Sequence, residues 1–206
     1  MRRQFPFQFL DEDSELFLLS QMARTRFRTG GSPLGMFNLY LNYSTTTTVA
    51  NSTTETALLG APDVGSSKTL TPGLAVVGRT LQLFFSGILS CVLTPTLDVR
   101  LRLGGLTGAL LEDYTPAVNA NPTTAWYLNV YAVITAIGAG GAIAIQPGAF
   151  EFALGTQGAA QWSGRNTGGA AVDISSDKDF ELSAQWGTAN VANIFTYRFG
   201  MINVIR

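Results

Sequence analysis

The chain has 206 residues, of which 46% are hydrophobic and only 13% charged, and its formal net charge is −1. This length suits one all-β domain with an appendage, or two small domains at most. The near-neutral charge speaks against nucleic acid as a partner, because phosphate binding needs a concentrated basic patch. Histidine is absent, which removes the usual zinc ligand and general base, and the single cysteine, Cys91, excludes an internal disulfide.

The low charge content predicts an oligomer. The charged fraction is about half of that in an ordinary soluble domain, and a net charge near zero favours self-association. We therefore expect much of the surface to be covered in an assembly. No run of about eighteen apolar residues occurs, so no membrane span is expected.

The first 33 residues are predicted to form an arm, made of an extended segment and a short helix, ahead of a β-sandwich domain over residues 34–206. Acidic residues precede the apolar run 16–19 and arginines follow it, which is the order that the helix dipole favours. Exposed aromatic rings need a cover, so the arm either packs on its own domain or docks into a neighbouring subunit. Its candidate assembly contacts are Phe5, Phe7, Phe9, Arg24, Arg26 and Arg28.

Alternating or continuous apolar runs after residue 34 predict strands, with turns rich in Gly, Pro and Asn between them. The polar tract 44–54 could form an edge strand or a loop, and Pro147-Gly148 predicts a kink or a bulge. The predicted strands span residues 37–43, 56–59, 81–92, 97–103, 126–137, 142–146, 150–154, 180–186 and 194–205. This pattern predicts an all-β fold, a jelly-roll-like β-sandwich of about eight strands, with an up-and-down barrel as the alternative.

The segment 79–105 is predicted to be the central hairpin, with a Thr-Pro-Thr corner between its two strands. Its first strand and the strand 126–137 are apolar at nearly every position, so both faces of each are expected to be covered. The second strand alternates, which predicts one core face and one polar face. The core positions are Leu97, Val99, Leu101 and Leu103, and the polar positions are Asp98, Arg100 and Arg102.

The polar face formed by Asp98, Arg100 and Arg102 is a further candidate assembly contact. Alternate charges along a strand can form ion pairs across strands, and Glu151 or Glu181 could be the partners. The face could also be solvated, or its arginines could meet carboxylates of a neighbouring subunit. Because the body is short of charge, we favour the subunit contact.

Trp162 and Arg165 lie in a predicted glycine-rich loop, 155–169, and are candidate recognition residues. An aromatic ring and a guanidinium in a loop can stack on a sugar or fill a partner's pocket. Trp126 and Trp186 begin or end strands and are predicted to be core residues.

No catalytic, cofactor-binding or metal-ligating residue is predicted. Glu112-Asp113 is the one adjacent acidic pair of the body, in a predicted loop at 104–122, whereas a glycosidase needs two separated carboxylates on rigid elements. The acidic loop 173–179 is the better candidate for calcium, although aspartates in turns more commonly accept hydrogen bonds from their own backbone. We therefore expect the protein not to be an enzyme.

Five motifs occur in a fixed order in the body. A T-E-T-x-L-L-G element is followed by a G-R-T-L strand entry, a P-T-L-x-x-R-L-x-L-G-G strand, a Trp-led strand and a W-G-T-A segment. They lie at Thr54–Gly60, Gly78–Gly87, Pro95–Gly105, Trp126–Gly138 and Trp186–Asn193. In these features, from about residue 54 to 205, the chain resembles small β-sandwich structural proteins of tailed phages and related viruses.

The resemblance implies a virion protein, often trimeric, of the capsid-decoration or fibre-like kind. Its expected partners are copies of itself, in a homotrimer, and other virion proteins, with no nucleic acid and no membrane. The expected function is that of a capsid-associated decoration or minor capsid component that self-assembles and anchors through its arm. The alternative is a receptor- or glycan-binding head of a viral fibre or tail appendage, with the loops 104–122 and 155–169 at its tip.

Overall fold

The computed structural model describes residues 36–63, 65–92, 94–115, 118, 121–153, 161–163 and 170–205. The predicted arm of residues 1–33, with its six candidate contacts, lies outside these residues, and so does Arg165. Within them the fold is all-β, without a helix, and therefore without a helix long and apolar enough to cross a membrane.

The described residues form thirteen strands, more than the eight or so predicted, because several short edge strands lack a sequence signal. The strands are β1 (Met36–Asn42), β2 (Thr47–Ala50), β3 (Thr56–Ala57), β4 (Thr69–Leu70), β5 (Thr80–Cys91), β6 (Leu97–Leu103), β7 (Ala109–Tyr114), β8 (Asn121–Ala136), β9 (Ala142–Ala153), β10 (Gln161–Ser163), β11 (Ala170–Ala171), β12 (Lys178–Trp186) and β13 (Ile194–Ile205). The polar tract 44–54 thus contributes an edge strand, β2.

The strands belong to two antiparallel sheets, an arrangement consistent with a β-sandwich. The large sheet has the order β1-β13-β5-β8-β9-β10, with β2 paired to β13 and β11 to β9. The small sheet has the order β3-β12-β6-β7, with β4 also paired to β12. A hydrogen bond from Trp186 Nε1 in the small sheet to the carbonyl of Val49 in the large sheet, 3.3 Å long, links the two.

The predicted central hairpin is wrong. Both of its strands exist, but β5 lies in the large sheet and β6 in the small one, so the Thr-Pro-Thr corner passes from one sheet to the other. The core face of β6 is confirmed, since Leu97, Val99, Leu101 and Leu103 are each at most 1% exposed. Trp126 and Trp186 are also buried, as predicted.

The sequence predicts that β5 and β8 are covered on both faces, and the described chain fully covers only one face of each. Along β5, buried residues alternate strictly with half-buried ones, and β8 alternates in the same way from residue 126 to 136. The inward residues form the core, and the outward ones form a face that the described part of the chain leaves half open. Apolar side chains on that outward face made the two strands resemble fully buried ones.

One glycine is essential to the close packing of the large sheet. Gly87 pairs with Tyr197 on one side and with Trp126 on the other. A Cβ at residue 87 would lie 1.9 Å from the carbonyl oxygen of Thr196 and 2.9 Å from Trp126 Nε1. The missing side chain lets the indole reach across β5 and donate to that same carbonyl at 3.2 Å.

A bulge interrupts β9 in the large sheet. In β9, Gln146 lies opposite Tyr131 and Ala149 opposite Asn129, so Pro147 and Gly148 form the predicted bulge.

The outer edge of β1 is covered by the chain itself, because the amides of Asp63 and Ser67 donate to β1 carbonyls at 2.9 and 2.7 Å. This cover leaves β1 less able to pair with a foreign strand.

Candidate functional site: the two outer sheet faces

The outer face of the small sheet carries a network of five charged residues, which we call the β6 charge cluster: Glu55, Asp98, Arg100, Arg102 and Asp113. Alternation along β6 places Asp98 and both arginines on this face. Glu55 reaches them from the segment between β2 and β3, and Asp113 from β7, directly opposite Arg100. The charges predicted to meet a neighbouring subunit therefore have partners within the chain.

Glu55 is the centre of the β6 charge cluster. Its Oε1 accepts hydrogen bonds from Arg102 Nε at 2.8 Å and from the Ser183 hydroxyl. Its Oε2 accepts from Arg100 Nη1 and Arg102 Nη2, both at 3.1 Å. Arg102 thus grips the carboxylate with two parallel bonds, the geometry in which a guanidinium binds a carboxylate most strongly.

Arg100 joins the remaining members. It donates to Asp98 at 3.0 Å and to Asp113 at 3.3 Å, in addition to Glu55. Asp98 also accepts from the side-chain amide of Gln185 at 2.8 Å. The arginine and acid side chains of β6 are only 16–18% exposed, so water screens these pairs less than it screens pairs on an open surface.

The network shifts the protonation equilibria of its members. Partial burial alone would raise the pKa of Glu55, but hydrogen bonds from Arg102 and Ser183 and the charges of both arginines outweigh it and lower that pKa. Burial would likewise lower the pKa of Arg100, but Asp113, Glu55 and Asp98 raise it. Both shifts favour the ionised state in the fold.

Neither of the partners suggested by the sequence pairs with these arginines. Glu151 belongs to β9 of the other sheet. Glu181 lies opposite Arg102 in register, but its carboxylate is 4% exposed and binds Lys68 Nζ and the amide of Leu59, both at 3.0 Å. Together, Glu55 and Lys68 hold the segment 52–70 against the small sheet, where its strands β3 and β4 pair with β12.

The outer face of the large sheet has the opposite character. We call its outward residues on β5, β8 and β13 the aromatic face: Gln82, Phe84, Ser86, Ile88, Tyr127, Asn129, Tyr131, Val133, Phe199, Met201, Asn203 and Ile205. Antiparallel register aligns them in rows across the three strands. None of the twelve is charged, and Arg198 stands beside them at a bulge of β13.

Phe84 is at the centre of the aromatic face. Its ring stacks on Tyr127 with centroids 6.4 Å apart and meets Phe199 edge-on at 6.0 Å. The row beside it is polar: Asn203 donates to Gln82, and Gln82 donates to the Tyr131 hydroxyl, each at 3.3 Å. Tyr131 remains 37% exposed. An uncharged, partly open aromatic surface of this kind is typical of a contact site.

The structure tests the predicted positions of three other features: the Glu112-Asp113 pair, Trp162 and the loop 104–122. Glu112 and Asp113 lie in β7, not in a loop, and they point to opposite sides: Glu112 is buried, whereas Asp113 binds Arg100. Trp162 lies in β10 and pairs with Phe150, so the predicted loop 155–169 is interrupted by a strand. The other predicted loop, 104–122, is likewise interrupted, by β7 and by the start of β8.

The acidic loop 173–179 shows the turn geometry that sequence reasoning gave as the common case. Asp173 accepts from the amide of Ser175 at 2.9 Å and from its hydroxyl at 2.6 Å, which lowers the pKa of Asp173. Asp179 instead accepts from Thr69 at 2.6 Å. Among the residues that the structure describes, no group of three acidic or sulfur ligands could hold a metal ion.

Sequence reasoning missed two features. Glu55 gave no signal, because its partners lie more than forty residues away on β6. The aromatic face is the second missed feature, because the sequence predicts cover on both faces of β5 and β8. The polar residues Gln82, Ser86 and Asn129 lie among apolar neighbours on this face, and they could have indicated that it points toward solvent or a partner.

The fold and its two outer faces place this chain among all-β proteins with two antiparallel sheets. In comparisons with known proteins, no family model, curated protein or solved structure matches it.

Proposed function

We propose that this chain is a structural virion protein, a capsid-associated decoration or minor capsid component that self-associates. Its work is binding and not catalysis. The observation that carries the proposal is the aromatic face, because twelve uncharged outward positions on three long strands suit a surface that is covered in an assembly. The motif order from residue 54 to 205 adds the resemblance to phage and viral β-sandwich proteins.

The internal pairing of charge supports a building role. The β6 charge cluster and the Lys68–Glu181 pair use seven charged side chains within the chain. These pairs fix the segment 52–70 on the small sheet, where β3 and β4 pair with β12, and they leave the charges of that sheet's outer face paired within the chain. The large sheet is then the side with apolar area to offer to a partner.

We also propose the finer architecture, a jelly roll with an N-terminal anchoring arm. Between consecutive described strands the chain changes sheet six times, at β2–β3, β4–β5, β5–β6, β7–β8, β11–β12 and β12–β13. This repeated crossing between two sheets supports the jelly roll. The arm proposal depends on its six candidate contacts, which are Phe5, Phe7, Phe9, Arg24, Arg26 and Arg28. The homotrimer that the resemblance implies stays a prediction.

Labelling of particles tests the virion assignment. Antibodies against the purified chain, coupled to gold, should decorate intact particles from its source at a fixed and repeated position in electron micrographs. Antibodies preincubated with the free chain are the control and should leave the particles bare. Absence of label from particles, with the chain recovered only in the unassembled fraction, would overturn the proposal.

A second experiment tests the arm. Particles stripped of the protein should bind the full chain, and removal of residues 1–28 should abolish co-sedimentation with them. The matched control is the triple replacement of Phe5, Phe7 and Phe9 by leucine, which keeps apolar anchors and should retain binding. Unchanged affinity of the truncated chain would refute an anchoring arm.

The alternative, a receptor- or glycan-binding head, remains a prediction. Of its candidates, the segment 104–122 contains β7 and the start of β8, and Trp162 is paired in β10. A glycan array would decide it: specific binding that Trp162→Ala abolishes would establish the head, and a blank array would leave the building role.

A further inference from the structure

We infer that the aromatic face is the docking surface for a second copy of this chain, packed sheet on sheet about a two-fold axis. This inference rests on the self-association in the proposed function, names the surface and the occupant, and puts a two-fold pair in place of the homotrimer that the resemblance implies. Three observations carry it: the extent of the face, its lack of charge, and the internal pairing of the charges on the opposite outer face.

The face is large enough for a stable pair. β5 and β13 each have 12 residues, a length of about 40 Å at about 3.3 Å per residue, and three strands spaced by about 4.8 Å span about 14 Å. One copy therefore offers roughly 570 Å² of flat face, and two copies together would bury roughly 1,100 Å². That exceeds the area of about 1,000 Å² which a specific interface requires.

Two copies of the aromatic face can meet without bringing like charges together. A two-fold contact brings the same patch of both subunits together, so a charged residue on it would meet its own copy or a residue of the same set. The twelve positions carry no charge, and Arg198 lies beside the rows at the bulge of β13. An uncharged face offers no charge pattern by which a foreign partner could be selected, whereas a copy of itself needs none.

The aromatic rings make the face uneven, and two uneven faces can interlock. Phe84, Tyr127 and Phe199 form a ridge across the three strands. Sheets that pack face to face keep their strands within about 30° of each other and interlock their inner side chains. The ridge on one copy can then pack against the neighbouring polar row on the other, where Tyr131 is exposed and Gln82 half-buried.

The other surfaces offer less to a second copy. On the outer face of the small sheet, the charges of β6 are already paired within the chain, with Glu55 and Asp113. The outer edge of β1 is occupied by backbone hydrogen bonds from Asp63 and Ser67. We therefore assign self-association to the aromatic face of the large sheet.

The test is the mass of the full-length chain in solution, by sedimentation and light scattering between 1 and 100 µM. The wild type should be a dimer, and Phe84→Glu with Phe199→Glu should weaken dimerisation at least 100-fold. Phe84→Leu keeps the apolar surface and should leave the dimer intact. Val191→Glu, at a 77% exposed residue between β12 and β13, is the matched charge control and should also leave it intact.

Cysteine crosslinking provides a second measurement that does not depend on how the glutamate variants fold. The native Cys91 is buried. Ser86→Cys, on the aromatic face, should form disulfide-linked dimers under mild oxidation, and Ser175→Cys, in the exposed turn after β11, should not. Linkage of both, or of Ser175→Cys alone, would overturn the inference.

The mass measurement separates this inference from the proposed function. A trimeric wild type would overturn the two-fold packing and leave a self-associating virion protein in place. A monomer at 100 µM, without crosslinking at Ser86→Cys, would mean that the face is covered by residues of its own chain or by another protein, and would also overturn the inference. The gold labelling of particles decides the proposed function independently of either result.

Discussion

Replacement of Glu55 by glutamine should destabilise the fold by about 2 kcal/mol. The substitution keeps the shape of the side chain but removes the charge that binds two arginines and a hydroxyl. Arg102 would lose its only carboxylate partner among the described residues and keep neutral acceptors, the carbonyl of Gly108 at 3.2 Å and the new amide oxygen. Arg100 would keep Asp98 and Asp113.

The magnitude follows from the exposure of the pair. Fully exposed ion pairs contribute about 0–1 kcal/mol, and breaking a fully buried pair costs about 3–5 kcal/mol. Glu55 is 22% exposed and Arg102 is 17% exposed, so the cost lies between these ranges, at about 2 kcal/mol. In a body of this size, that corresponds to a decrease in Tm of roughly 4–8 °C.

The same substitution predicts a pH dependence. The folded state lowers the pKa of Glu55 below its ordinary value of 4.5. A carboxyl with a lowered pKa contributes stability above its unfolded pKa, and this contribution is lost as pH falls through the folded pKa. The difference between wild type and Glu55→Gln should therefore be full at pH 7, begin to shrink near pH 4.5 and continue to shrink below it.

Urea unfolding at one fixed protein concentration, at pH 7 and at pH 3, measures both effects. The control is Asp113→Asn, because Asp113 is 36% exposed and contacts Arg100 through one bond of 3.3 Å, so it should cost less than about 1 kcal/mol. Equal effects of the two substitutions at pH 7, or a Glu55→Gln effect that persists undiminished at pH 3, would refute the reasoning.

Three further predictions concern the packing of the two sheets. In a thermal melt, Gly87→Ala should cost more than about 3 kcal/mol or prevent folding, because its Cβ would overlap a backbone carbonyl. The control is Gly73→Ala, which has open space around it and should change the stability by less than about 1 kcal/mol. Tyr197→Phe should cost about 1–2 kcal/mol by removing the buried hydroxyl contact to Tyr40, 3.1 Å long. Adding Tyr40→Phe should then cost little more, and a fully additive double variant would argue against that contact. Lys68→Met should cost about 3 kcal/mol in urea unfolding, since it leaves a buried carboxylate without its cation, and wild-type stability would contradict this ion pair.

The long strands could be predicted from the sequence because they obey a local rule. β6 and β13 match their predicted bounds within a residue, and the bulge at Pro147-Gly148 was read from the backbone limits of those two residues. The strand predicted at 56–59 is present as β3, at its first two residues. β4, also of two residues, has no prediction, because it is held by partners on β12 more than a hundred residues away. No local pattern carries such pairings.

The arrangement of the sheets and the contacts of the candidate site could not be predicted, because the sequence of a single strand does not show which distant strands or residues it will contact. The corner between β5 and β6 has the residues of a hairpin turn, yet the strands it joins lie in different sheets. The polar positions of β6 were identified from alternation, but whether they face solvent, a subunit or their own chain was decided by Glu55, which no spacing rule connects to them. Apolar residues on both faces of β5 predict that both faces are covered. They do not show whether the same chain or a partner covers the outward face.

The position of β13 has a consequence for how the protein is made. This strand is the last in the described chain, yet it lies inside the large sheet, between β1 and β5, and pairs with β5 along almost its whole length. On a ribosome that adds about 5–20 residues per second, β5 waits on the order of 10 s for this partner. During that time an apolar strand has one unpaired edge, so nascent chains should depend on chaperones and aggregate more readily than the finished protein. Because the pairing spans so much sequence, folding after release should also be slow, in the range of milliseconds to seconds.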